Sequence, residues 1–183
     1  KEIIINTHLI GNYNIDNVLA ALCVSGYLAI PTADAVMAIS NYVPSNNRSQ
    51  MTKTANNTLI VDAYNANPTS MKASLDNFRE LKMNNKVLVL GDMLELGEDS
   101  LAEHKNMVKV ALEINPSRVF FVGKEFAAAY SSLVEENEVF SSNVILTNNS
   151  LALREWLQQN PVKGCNILIK GSHGIHLERL IDV

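Results

Sequence analysis

Five apolar runs in this chain end in residues that can do chemistry. They read VDAYNAN from Val61, LGDMLELG from Leu90, VGK from Val122, LTNN from Leu146 and IKGSHG from Ile169. Each passes from Val, Ile or Leu directly into acids, amides, lysine, serine or glycine. Carboxylates can hold a cationic amine or position a metal-bound ligand. Amide, hydroxyl and backbone N–H groups can hold a carboxylate or a phosphate. Asp62, Asp92, Lys124, Asn148, Lys170 and Ser172 therefore suit a small polar or phosphorylated ligand, with Gly91, Gly123 and Gly171 permitting close backbone approach.

Taken singly, these segments stay two-sided. Asn67 is a good helix N-cap and Pro68 a good first helical residue, so Tyr64–Asn67 is a ligand loop or a plain strand-to-helix turn. In the second run, Asp92 or Glu95 holds a cationic amine or a metal-bound ligand, or the acids merely favour the coming helix N-terminus. Lys170-Gly171-Ser172-His173-Gly174 is an anion site or a glycine-rich turn. His173 and His176 are three apart, but no third ligand sits at zinc spacing, so no metal site is expected there. His104 reads as a structural hydrogen bonder. Arg48 reaches an anion between domains or is an ordinary surface arginine. No GxxxxGK[ST] loop and no GxGxxG occurs, so no nucleotide site is complete within these residues. No catalytic triad can be argued from residue order.

The elements that must carry these ends alternate. Strands are predicted at 58–61, 86–90, 118–122, 143–146 and 166–169, with helices at 68–82, 99–114, 124–137, 149–159 and 174–182. The strands are nearly continuous Val, Ile, Leu and Phe, as when both faces of a sheet are covered. This pattern predicts an α/β, Rossmann-like, mostly parallel sheet with helices on both faces. Residues 51–53 are a candidate antiparallel edge strand. Ahead of them, residues 3–5 read as a strand and 14–29 and 32–40 as helices. The proline-containing stretch 43–48 reads as a linker. Residues 1–45 are too few for an independent core and are expected to be the tail of an upstream domain. Residues 46–183 are expected to form the main one.

Composition narrows the function. Of 183 residues, 47% are hydrophobic and 19% charged, which suits a globular chain. A net charge of -4 argues against nucleic-acid binding, which needs a basic face. No apolar run approaches the roughly 18 residues that span a bilayer, so membrane insertion is not expected. The N-terminus lacks signal-peptide features, and the setting reads as cytoplasmic. Cys23 and Cys165 are expected to be reduced core residues. Trp156 is expected to pack its helix on the sheet.

The segments DAYNANPTSM (62–71), LGDMLELGEDSLAEH (90–104) and KGSHGIHLE (170–178), in this order, resemble the C-terminal domain of the Mur ligases. GNYNIDNVLAA (11–21) resembles the end of that family's central ATPase domain, except that Tyr13 stands where the family usually has histidine. The YNANP and LGDMxELG motifs are similar to the branch that adds D-alanyl-D-alanine. The resemblance implies ATP-dependent amide ligation: the carboxylate of UDP-N-acetylmuramoyl-tripeptide takes the γ-phosphate, and the dipeptide amine attacks the acyl phosphate. It implies ATP and Mg²⁺, with the phosphate loop, magnesium ligands and a carbamylated lysine upstream of these residues. The chain is then expected to be a fragment, inactive alone, with no catalytic or metal-ligating residue of its own. Matched residue by residue, Asn17, Arg48 and Asp62 are implied on the nucleotide side. Asn65, Asn67, Asp92 and Ser172 are implied on the side of the incoming dipeptide. Two other readings stay open: another Mur-type amino acid ligase, and a non-catalytic α/β module that binds a partner through its sheet edge.

Overall fold

The computed structural model describes residues 2–9, 11, 14–44, 50–139 and 141–182, with the Gln50 side chain excepted. Arg48, Tyr13 and most of the expected linker lie outside the described residues. Two helices come first, α1 (Ile15–Tyr27) and α2 (Thr32–Asn41). Then follow β1 (Gln50–Lys53), β2 (Thr58–Asp62), α3 (Pro68–Glu80), β3 (Lys86–Gly91), α4 (Ser100–Glu113), β4 (Arg118–Val122), α5 (Lys124–Glu135), β5 (Val144–Thr147), α6 (Ser150–Gln159) and β6 (Asn166–Lys170).

The six strands form one sheet in the order β1-β2-β6-β3-β4-β5. Only β1 runs antiparallel, paired to β2 at the edge. The alternation of side chains then builds two cores. Ile60, Leu88, Leu90, Val119, Phe121 and Leu168 face α3, α4 and α5. Leu59, Val61, Val87, Val89, Phe120 and Ile169 face α6 and the C-terminal segment. A fully buried leucine such as Leu88 stabilises by about 2–5 kcal/mol against truncation to alanine. Trp156 packs edge-on to Phe120 with ring centroids 5.4 Å apart, as its helix was expected to do.

The two-faced cover follows from strand order. From β2 the chain passes β6's place to β3 and continues outward to β4 and β5, so α3, α4 and α5 share one face. From β5 it returns to insert β6 between β2 and β3. With a constant hand of crossover, reversing the direction puts α6 on the other face.

Three expectations are corrected. Residues 3–5 form no strand, and Ile3 and Ile4 are exposed. Cys23 is exposed rather than core, because α1 packs chiefly on α2 and carries no buried residue among the described residues. The expected helix 174–182 is two short 3-10 turns, His173–Ile175 and Leu177–Leu180, separated by His176 at φ 58 and ψ 45. That left-handed residue turns the chain under the strand ends, where Ile175 and Leu177 lie against Gly91 and Leu177 against Gly171; a Cβ at either glycine would strike them.

Candidate functional site at the carboxyl edge

The reversal of crossover direction makes a crevice at the carboxyl end of β6. The loop after β2 leaves toward α3 on one face, while the segment after β6 leaves toward the other. Open α/β sheets bind ligands where neighbouring loops part in this way. Asp62 and Lys170, the last residues of β2 and β6, are register partners there.

Lys170 is 1% exposed. Its Nζ donates to Asp62 Oδ2 at 2.8 Å and to the carbonyl of Asn65 at 3.1 Å. Ser74 Oγ, from α3, donates to the same Asp62 oxygen at 2.9 Å. The lysine expected to reach an outside anion is thus turned inward, tying the β2 end to the loop that follows it. Ser172, 6% exposed, ties three loops together. Its Oγ accepts from Leu94 N at 2.9 Å and donates to the carbonyl of Ala66, while its N–H donates to the carbonyl of Asp92.

Asp92 is 2% exposed and faces a helix N-terminus. Oδ2 accepts from Glu125 N at 3.1 Å and Oδ1 from Phe126 N at 2.9 Å. Both donors are first-turn amides of α5, which have no partner inside their own helix, so the carboxylate caps α5 from a different loop. Beside it, His104 is fully buried. Its Nδ1 lies 2.7 Å from the carbonyl of Ser100, and its Nε2 accepts from Met93 N at 3.0 Å. A carbonyl can only accept, so Nδ1 carries the proton and Nε2 carries none. His104 thereby fixes the start of the 93–97 loop and is the structural hydrogen bonder its position suggested.

The expected dipeptide-side residues therefore divide. Asn65 lies exposed on the loop after β2. Asn67 is exposed too, but its Oδ1 accepts from Ser70 N at 2.8 Å, while Ser70 Oγ accepts from Asn67 N at 3.1 Å. This capping box starts α3 and engages the Asn67 amide oxygen. Asp92 and Ser172 are buried, and the polar atoms of their side chains are engaged by backbone. On the nucleotide side, Asn17 stands apart from this cluster, at the start of α1. Its Nδ2 donates to Asn14 Oδ1 at 3.0 Å, and both line a cleft of about 710 Å³ between α1 and α2. Asp62 stands in the crevice itself. The role of Lys170 was missed in sequence. Its only signal is that two apolar strand runs end in opposite charges, Val61-Asp62 and Ile169-Lys170.

Residues 47–173 match the family described as Mur ligase, glutamate ligase domain. The chain belongs to the Mur ligases. Among Mur ligase relatives, it is 34% identical over 175 residues to the UDP-N-acetylmuramoyl-tripeptide–D-alanyl-D-alanine ligase of Bacillus subtilis, covering 94% of this chain and 38% of that one. MurF from Acinetobacter baumannii superposes with a TM-score of 0.78 at 27% identity, over 93% of this chain and 37% of that chain. The fold also matches MurF from Thermotoga maritima in complex with ADP, with a TM-score of 0.73, 21% identity, and 95% and 38% coverage. The chain spans well under half the length of these Mur ligases.

Proposed function

We propose that this chain is the C-terminal part of an ATP-dependent ligase that adds D-alanyl-D-alanine to UDP-N-acetylmuramoyl-tripeptide in peptidoglycan precursor synthesis, in the cytoplasm. The observation that carries the reading is the Tyr64–Asn67 loop at the β2/β6 crevice. Its motif resembles that of the D-alanyl-D-alanine-adding branch, and it carries two exposed asparagines on a backbone held by Lys170 and Ser172. The names of the similar ligases support the same substrate.

In this reading, residues 1–45 end the central ATP-binding domain and 46–183 form the domain that receives the amine. The tripeptide carboxylate takes the γ-phosphate to give an acyl phosphate. The dipeptide amine attacks its carbonyl carbon, the new C–N bond forms, the amine loses a proton, and inorganic phosphate leaves. Asn65 and Asn67 orient the dipeptide, supplying amide donors for its carboxylate and the Asn65 amide oxygen for its amine. Placement of this kind converts a bimolecular step into an effectively unimolecular one. Asp92, Ser172 and His104 hold the three loops in register beneath it.

For the nucleotide, the exposed Asn17 amide on an open cleft fits an adenine edge. Both described bonds of Asp62 fall on Oδ2, so a ribose hydroxyl would meet Oδ1; Arg48, outside the described residues, is proposed to serve the nucleotide by resemblance alone. Mg²⁺ is another matter. Its ligands are proposed to lie in the region upstream, and no step here is routed through it. Domain closure across 43–48 would exclude water from the acyl phosphate.

The test is Asn65→Ala in the intact enzyme. Dipeptide-dependent phosphate release should fall far more than ATP binding; equal loss of both would sink the assignment.

A further inference from the structure

Resting on that reading of the crevice, we propose that Lys170 is the positioning residue for the dipeptide loop: its buried ammonium, anchored on Asp62, sets where Asn65 and Asn67 project. Three observations meet here. First, the ammonium bonds the carbonyl of Asn65 itself, at 3.1 Å, so it fixes backbone in the loop rather than a side chain beside it. Second, the other end of that arrangement is rigid. Asp62 is the register partner of Lys170 across the β2/β6 ladder, and Ser74 of α3 holds the same carboxylate oxygen. Third, the loop is held at its next peptide too, since the Ala66 carbonyl accepts from Ser172 Oγ at 3.3 Å. Around these two anchors, Tyr64, Asn65 and Asn67 are exposed while Ala66 is buried.

The placement is costly if stability were its only effect. A buried ion pair gives up hydration of both charges and is often no more stabilising than apolar side chains of the same volume. Its distinct property is geometric: charged donors fix carbonyls and carboxylates at short, directional distances. At a strand end where neighbouring loops part to opposite faces, nothing else in the ladder would fix the loop after β2, because the ladder stops at Asp62 and Lys170.

The experiment uses the intact enzyme. Lys170→Met should raise the KM for D-alanyl-D-alanine by about tenfold or more, the effect of losing one placed charged hydrogen bond, with the KM for ATP little changed. Hydrogen exchange at the amides of 64–67 should speed up in the same variant. Leu133→Val serves as the control, since it trims a fully buried side chain in the last turn of α5, which has no part in this arrangement; it should leave both KM values and the exchange of 64–67 as in the parent. Should Lys170→Met not accumulate folded, Lys170→Arg keeps the charge but carries a bulkier head, and the same split between the two KM values is expected. A folded Lys170 variant with parental dipeptide KM and parental exchange at 64–67 overturns the proposal. So does a Leu133→Val enzyme showing the same split as Lys170→Met, which would make the effect general loosening. If the parent shows no dipeptide-dependent turnover, the functional reading fails by itself, and exchange at 64–67 still decides whether Lys170 orders the loop.

Discussion

Gly123 and the carboxylate of Asp92 occupy adjoining space, such that any Cβ on Gly123 would fall inside the van der Waals surface of the acid. The relationship joins two strand ends. Asp92 follows β3, and Gly123 precedes α5, whose first-turn amides Asp92 accepts. Gly123 also holds φ +119, a conformation costly for any residue with a side chain.

Gly123→Ala should therefore destabilise the domain by about 3 kcal/mol or more, through clash and backbone strain together. Asp92→Ala, which loses only the cap, should cost about 1–2 kcal/mol plus the exposure of two buried amides. Urea unfolding followed by circular dichroism checks both. A Gly123→Ala variant as stable as the parent would contradict the geometry.

His104 should be the tautomer with its proton on Nδ1, since Nε2 accepts the Met93 amide. Nitrogen-15 spectra of labelled histidine distinguish the two ring nitrogens directly. A proton found on Nε2 of native neutral His104 would mean that Met93 is bonded elsewhere.

Asn65 and Asn67 should separate function from folding. Asn67→Ala removes the acceptor of a capping box and should cost about 1 kcal/mol of stability. Asn65→Ala should leave stability within about 0.5 kcal/mol, as expected for an exposed loop side chain. Thermal melts give the comparison, and equal losses would show that Asn65 too is part of the scaffold.

Burial pushes the Cys165 thiol above its ordinary value of 9.0, and Arg118 offsets this only in part. The folded state thus keeps a proton that the unfolded chain gives up more readily. Any stability linked to this is whole below pH 9 and is lost as pH rises through the higher folded value. Native Cys165 should react with a thiol reagent more slowly than in denaturant at pH 8. Native labelling as fast as denatured labelling would show that the thiol is not shielded.

Much of this fold was legible in sequence because it is written in local pattern. The continuous apolar strands gave the parallel sheet, and Asn67-Pro68 marked the start of α3 within the chain itself. What was not legible depends on partners distant in sequence. Nothing near Asp92 says that it caps α5, which lies one crossover further on. Lys170 looks like a ligand group until β6 is known to lie between β2 and β3, which brings Asp62 beside it. The last segment looked like a helix because its apolar residues recur at helical spacing. It folds instead into short turns around His176, since Ile175 and Leu177 must reach under Gly91 and Gly171.

The most direct measurement is phosphate release by the intact parent enzyme with ATP, Mg²⁺ and UDP-N-acetylmuramoyl-tripeptide. The incoming amine would be D-alanyl-D-alanine, D-alanine, D-glutamate or a diamino acid. The account predicts release that depends on D-alanyl-D-alanine. Release with a single amino acid and not the dipeptide would make this another ligase of the family, and no release with any amine from folded enzyme would contradict a ligase altogether.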